Sequence, residues 1–356
     1  MIRENGNLIF DCKPTIRSFA AVAGKKEGEG PLAKYFDSVI HDSYAGKDTF
    51  EQAESELMNA AVRLAMEKGD LRADDIDIAF CGDLLNQCVA SSFAMAPVGI
   101  PYAGIYGACS TMGLGLILSA MAVESGAASR AVCAASSHYC TAERQYRLPL
   151  EYGSQRPPTA QWTVTGSGAC ILERIDTPDK RQTISSDIDA TKTKRTKPAS
   201  KSPYIASARI GKITDYAVTD QNNMGAAMAP AAADTIYRYL VGSGTELGDY
   251  DMLFTGDLGR VGSRLLRDLL SEKGIDLGSY HRDCGVMIFD ESQDVHAGGS
   301  GCGCCASVLC GYILDAMQRG EYRNILFVPT GALLSPTTVM QKMTIPSVAH
   351  LVNIRI

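Results

Sequence analysis

The sequence has no uninterrupted apolar run of the roughly 18 residues needed to span a bilayer, so the reading is a chain without a membrane-spanning segment. The first residues carry Arg3, Glu4 and Asp11 in place of an apolar core, which argues against a secretory signal. There is no excess of positive charge: the formal net charge is −6, and a nucleic-acid partner is not expected. Charged residues are 21% and hydrophobic residues 46%, an ordinary balance for a soluble globular protein. What the chain does have is length and cysteine. Its 356 residues can bury a large core, as two domains or as one duplicated unit. Its 12 cysteines lie mostly in apolar or Gly-rich stretches, so buried reduced thiols are expected rather than a disulfide framework.

An internal repeat organises the chain. Asp75-Ile76-Asp77-Ile78-Ala79-Phe80-Cys81-Gly82-Asp83-Leu84 matches Asp249-Tyr250-Asp251-Met252-Leu253-Phe254-Thr255-Gly256-Asp257-Leu258 at six of ten positions, with an offset of 174. Each copy reads as a short apolar strand ending in a Gly-Asp turn. Further on, a small-residue turn, a helix and a buried strand follow in both copies. In the first these are Tyr106 to Gly113, a helix to about Glu124, and Ala131 to Ser137. In the second they are Gly298 to Ser307, a helix to about Arg319, and Asn324 to Gly331. Strand, turn, helix, strand is the grammar of a mostly parallel sheet with crossover helices. The predicted halves are residues 1–180 and 181–356. Helices are also predicted from Phe50 to Lys68, by the spacing of Ala53, Leu57, Ala60, Ala61, Leu64 and Ala65, and around Asp234 to Leu240, starting near Asn222 or Asn223. The basic stretch 191–202 reads as a solvated loop, with an anionic partner as the minor alternative.

Cys109 is the first candidate for chemistry. It falls between a predicted strand and a helix beginning near Ser110, where free N–H groups and the helix dipole favour thiolate. The same position suits a small buried cysteine at a tight turn, and the residues alone leave both readings open. His138 follows the strand ending at Ser137, so it either meets Cys109 as a catalytic pair or is a hydrogen-bonded histidine at a strand end. Cys302, Cys304 and Cys305 have the wrong spacing for zinc and open a packed helix, so no metal is expected. Asp83 and Asp257 read as turn and helix caps.

Beyond single residues, the strand–Cys–helix unit, the Gly166-Ser167-Gly168-Ala169-Cys170-Ile171-Leu172 segment and the two-fold repeat resemble the thiolase fold, nearest to its ketoacyl-ACP synthase III branch. More narrowly, four segments resemble the stage V sporulation protein AD (SpoVAD) family: Arg156 to Gly166, Asn223 to Thr235, Thr255 to Gly259 and Thr330 to Pro336. The resemblance implies a five-layered α-β-α-β-α fold. It also exposes a loss. Condensing enzymes of this fold need a histidine and an asparagine or second histidine from the second half. The histidine position falls at Gly256 or Thr255, and the turn from Gly299 to Ser307 offers Cys302 or Ser300 instead of Asn or His. Two missing oxyanion donors, at about 3 kcal/mol each, remove several orders of magnitude in rate.

The family resemblance thus implies a ligand-binding protein with a vestigial nucleophile at Cys109 and no cofactor. It binds dipicolinic acid, free or as its calcium chelate. It works with integral-membrane SpoVA partners at the spore inner membrane, from the cytoplasmic side, and forms a homodimer. A flat aromatic dianion calls for cations and hydrogen-bond donors. The expected ligand-binding set is Cys109, His138, Arg144, Arg147, Arg156, Gln161 and Asn223. The rival readings are an active acyltransferase or condensing enzyme using Cys109, and a purely structural dimeric scaffold.

Overall fold

A computed structural model describes residues 1–146, 156–174 and 202–356. The basic stretch up to residue 201, the proposed boundary at 180–181 and Arg147 lie outside the described residues.

Ten strands carry the architecture. In chain order they are β1 (Thr15–Gly24), β2 (Ile78–Gly82), β3 (Tyr102–Gly104), β4 (Arg130–Ser137), β5 (Gly166–Glu173), β6 (Tyr204–Arg209), β7 (Met252–Thr255), β8 (His281–Asp283), β9 (Asn324–Val328) and β10 (Leu351–Arg355). The first five form one set in the order β3-β2-β4-β5-β1, and the second five repeat it as β8-β7-β9-β10-β6. Orientation repeats too: β2 is parallel to β3 and β4, as β7 is to β8 and β9, while β5 and β10 run antiparallel to their neighbours. The sets meet where Tyr204 of β6 pairs with Thr15 of β1.

Helices α1 (Phe50–Lys68), α2 (Val89–Met95), α3 (Thr111–Ser125), α4 (Tyr139–Tyr146), α5 (Met224–Ser243), α6 (Gly259–Ser271) and α7 (Cys302–Val308) complete the layers. α7 continues through a π turn at Leu309–Ile313 to Gln318. Thr49 caps α1 by accepting from the Gln52 N–H, and the predicted alanine and leucine stripe faces the first sheet. α1 and α2 cover that sheet outside, α5 and α6 cover the second, and α3 and α7 lie between the sheets. Three buried clusters fill the gaps between layers. This is the five-layered arrangement that the resemblance implied.

One reading needs correction. The segment Ala108–Ser125, 18 residues with mean hydropathy 1.4, is long and apolar enough to cross a membrane, although Ser110, Thr111, Ser119 and Glu124 interrupt it. Some 67% of it is buried within the fold, where small residues admit close packing: a Cβ on Gly115 would come within 3.0 Å of Cys133.

The repeated aspartates explain why the halves fold alike. Asp75 and Asp249 each accept from a backbone N–H three residues earlier, at Arg72 and Glu246, both at 2.9 Å. Asp77 then accepts from the N–H groups of Ser129 and Arg130, and Asp251 from those of Arg323 and Asn324, tying the starts of neighbouring parallel strands together. The turn glycines are matched as well. A Cβ on Gly82 would stand 2.0 Å from the Ile105 carbonyl oxygen, and one on Gly256 2.9 Å from Pro329 Cα.

Candidate functional site

The carboxyl ends of β2, β4, β7 and β9 and the starts of α3 and α7 converge on Cys109. The cysteine sits in a single 3-10 turn, Ala108–Ser110, that leads into α3. Ala108 holds a left-handed φ of 49°, the kind of strained backbone that lifts the next residue out of the strand direction. The turn is fixed internally: Ser110 Oγ donates to the Gly107 carbonyl at 2.6 Å, and Thr111 Oγ1 donates to that of Ala108 at 2.6 Å. Cys109 is buried, and Cys305 Sγ donates to its carbonyl at 3.5 Å.

Opposite the thiol stands Asp257, near enough for its charge to act on Cys109. The carboxyl group also accepts from the Gly301 N–H at 2.9 Å, Ser300 Oγ at 3.2 Å and Thr330 Oγ1 at 3.0 Å. Burial pushes Asp257 up to about 7, opposed by these donors. The Cys109 thiol is raised well above its ordinary range, first by burial and then by the Asp257 charge. Burial thus works against the helix start, and Cys109 occupies the buried position that one of the two readings described.

Above Cys109 lies a cleft of about 40 Å³, bounded by Leu84, Tyr106, Tyr146, Thr163, Gln221, Met224, Ser300 and Leu334. It opens into a groove of about 350 Å³ that shares Leu84, Tyr106, Tyr146 and Leu334 and adds Asn86, Ser335 and Thr338. Tyr106 and Tyr146 line both the cleft and the groove, and the Tyr146 hydroxyl donates to the Leu84 carbonyl. Among the described residues no Lys, Arg or His lines the cleft or the groove; Glu143 is the one carboxylate there. The Gln221 Oε1 atom is buried without a hydrogen-bond partner, an acceptor available to a bound donor.

The expected site residues scatter. Among the described residues of the set, Cys109 alone lines the cleft. His138 is not its partner: its Nδ1 accepts from the Cys140 N–H at 3.1 Å, its Nε2 therefore donates to the Ser43 carbonyl at 2.9 Å, and its ring stacks on Phe50 of α1. The reason is strand alternation. Ser137 turns its hydroxyl inward to Val164 O and the start of α7, so Ser136 and His138 turn to the α1 side of the sheet. Arg144 is ion-paired with Glu51 at the surface. Arg156 binds Asp294 at 2.9 Å and lies 4.9 Å over the Trp162 ring. Gln161 stands behind the site and braces it, donating to the carbonyls of Asp257 at 2.7 Å and Gly299 at 2.8 Å. Asn223 is the N-cap of α5, accepting from the Ala226 N–H, and its neighbours Gln221 and Met224 reach the cleft instead.

Of the two candidates for the third catalytic position, Ser300 faces the cleft, and Cys302 donates its thiol to the Ser136 carbonyl at 2.8 Å. Thr255, the alternative histidine position, points away into a pair of contacts with His281 and Asp283. Among the described residues no group of three or more His, Cys, Asp or Glu side chains is arranged to hold a metal. The sequence reading missed Asp257, Tyr106, Tyr146 and Gln221. The cap role expected of the repeated Gly-Asp turns holds for Asp83, which accepts from the Leu85 and Ser91 N–H groups, but not for Asp257, because Asp283 takes over the start of α6. Among the described residues, a buried thiol faces a buried acid and no imidazole lines the cleft.

Comparison with known proteins agrees with this geometry. The profile of the family "Stage V sporulation protein AD (SpoVAD)" matches residues 4–355. The stage V sporulation protein AD of Bacillus subtilis (strain 168) is 41% identical over 342 residues, covering 96% of this chain and 94% of that protein. Among solved structures, cerulenin-bound OleA of Xanthomonas campestris superimposes with a TM-score of 0.59 at 12% identity, over 100% of both chains. The 3-oxoacyl-[acyl-carrier-protein] synthase III of Aquifex aeolicus VF5 gives 0.56 at 12%, over 96% of this chain and 100% of that one. At such identities these two establish the shared thiolase-like fold and nothing more.

Proposed function

The chain belongs to the stage V sporulation protein AD family, and from that premise we propose that it is a non-catalytic dipicolinate-binding component of the SpoVA apparatus, holding its ligand over Cys109. The observation that carries the reading is the cleft itself: a site over a buried thiol, with no histidine among its described lining residues. The planar ring enters between Tyr106 and Tyr146. One carboxyl group reaches Ser300 and Thr163, and the other stays in the groove near Asn86, Ser335 and Thr338.

Electrostatics selects the form that binds. A dianion would enter a slot whose described lining offers no cation and which has Glu143 beside it and Asp257 behind it. The neutral 1:1 calcium chelate, or a protonated acid, avoids that cost. The cleft of about 40 Å³ is smaller than the ligand, so Tyr106 and Tyr146 separate as it enters. In this reading the protein acts as a homodimer at the spore inner membrane, alongside integral-membrane SpoVA proteins.

Calorimetric titration with dipicolinate, calcium dipicolinate and an acyl-CoA tests the proposal. Calcium dipicolinate is expected to bind with one-to-one stoichiometry, and acyl-CoA to give no turnover. Cys109→Trp fills the cleft and abolishes binding, while Cys109→Ser retains it. Unchanged affinity in Cys109→Trp places the ligand elsewhere, and loss in Cys109→Ser restores the covalent acyltransferase reading.

A further inference from the structure

A second cavity, of about 310 Å³, lies on the opposite side of the first sheet from Cys109, between α1 and the segment that follows β1. Its floor is apolar, formed by Ile40, Ala53 and Leu57. Glu27 faces into it and is 1% exposed. One oxygen, Oε1, accepts from the Thr165 N–H at 2.9 Å, whereas Oε2 is buried with no hydrogen-bond partner. Leaving such an oxygen unpaired costs on the order of 1–3 kcal/mol, so the site is built for a group that is absent when the cavity is empty.

His138 and Lys26 are already committed. Both ring nitrogens of His138 are hydrogen-bonded, and Lys26 donates to the Gln293 carbonyl at 2.6 Å while lying 4.3 Å over the Trp162 ring. The unsatisfied atom is an acceptor, so its complement is a donor. With Glu27, Glu29 and Asp42 the lining carries three carboxyl groups against Lys25 and Lys26. The balance therefore disfavours an anion and favours a cation with an apolar body.

We propose that this cavity binds a small primary ammonium ion, its charge on Glu27 Oε2 and its hydrocarbon on Ile40, Ala53 and Leu57. The site is independent of the dipicolinate reading, since dipicolinate lacks the required donor and the two cavities share no lining residue.

The probe is cyclohexylmethylammonium chloride, titrated calorimetrically into the full-length protein, with cyclohexylmethanol as the neutral counterpart. Saturable one-to-one binding of the ammonium ion in the millimolar range or tighter is expected, with no binding of the alcohol. Glu27→Gln keeps the acceptor to Thr165 and should weaken binding on the order of tenfold or more. Cys140→Trp, from a half-exposed position on the cavity wall, should abolish binding with the melting temperature of the protein preserved. Cys109→Trp should leave it intact. Absence of saturable binding, equal binding of the alcohol, or unchanged affinity in both Glu27→Gln and Cys140→Trp overturns the proposal.

Discussion

Asp257→Asn isolates the energetic consequence of placing an acid behind Cys109. The substitution is conservative in shape. The amide oxygen can take the place of Oδ2, which accepts from Gly301 N–H and Ser300 Oγ, and the amide NH₂ then faces Thr330 Oγ1, which rotates to accept. What changes is titration. The folded carboxyl group titrates at about 7, because burial penalises its charge, against roughly 3.9 in the unfolded chain. Between those values the native state holds a proton that the unfolded state has released. Stability from this group is therefore full below the unfolded value and is lost as pH rises toward the folded one, by up to about 1.4 kcal/mol per pH unit.

From roughly pH 5 to pH 7 the loss integrates to about 2 kcal/mol. Glu27, raised to about 7, and Glu54, raised to about 8, both by burial, impose the same sign on wild type and variant alike, so they cancel in the difference. Urea unfolding followed by the fluorescence of the single tryptophan, Trp162, measures it. The variant should gain about 2 kcal/mol on wild type between the two pH values, in line with the linkage worked above. Parallel stability curves would refute the assignment of a buried, protonated Asp257.

Three further outcomes follow from the site and its supports. Acyl-CoA and malonyl donors should give no carbon–carbon bond formation; product that disappears in Cys109→Ala would reverse this. Native-state alkylation with iodoacetamide, read by mass spectrometry, should label Cys12, Cys88 and Cys140, the half-exposed thiols, well before Cys109; early labelling of Cys109 would contradict its burial and raised pKa. Glu173→Ala should destabilise the fold by about 3–5 kcal/mol in chemical denaturation, because it strands the buried Arg130, which donates to Glu173 at 2.9 Å, and removes the Arg17 pairing at 3.0 Å. A loss below about 1 kcal/mol would mean that water compensates the arginine.

The repeat, the layers and Cys109 were legible in the sequence because each rests on a local signal: apolar strands of matched length, a small-residue turn, helical spacing. The partners of Cys109 were not. His138 follows a strand that ends near the site, but strand order does not say which face a side chain takes, and one residue of alternation puts it across the sheet from the thiol. Arg144 and Arg156 are near in sequence to segments that line the cleft, yet each finds a carboxylate outside it. Tyr106 belonged to a segment already singled out, and Tyr146 lies two residues after Arg144. Nothing in their spacing announced that both would line one cleft.

Asp257 is the most instructive case, because the repeat itself concealed it. The first two aspartates of each copy keep one job in both halves, closing a turn and tying two parallel strands. Equal sequence then suggested an equal job for the third. In the first half Asp83 indeed caps the start of α2. In the second half the strand β8 brings Asp283 to the start of α6, where it accepts from the N–H groups of Leu258, Gly259 and Val286. With that helix already capped, Asp257 turns inward and receives the Gly301 N–H at the start of α7. The acid thus reaches Cys109 because a neighbouring strand released it from its cap, a consequence of three-dimensional pairing that a two-copy alignment cannot contain. Its presence also bears on chemistry: an imidazole beside the thiol would draw the proton away, whereas a buried carboxylate raises the cost of a second negative charge and keeps the thiol protonated.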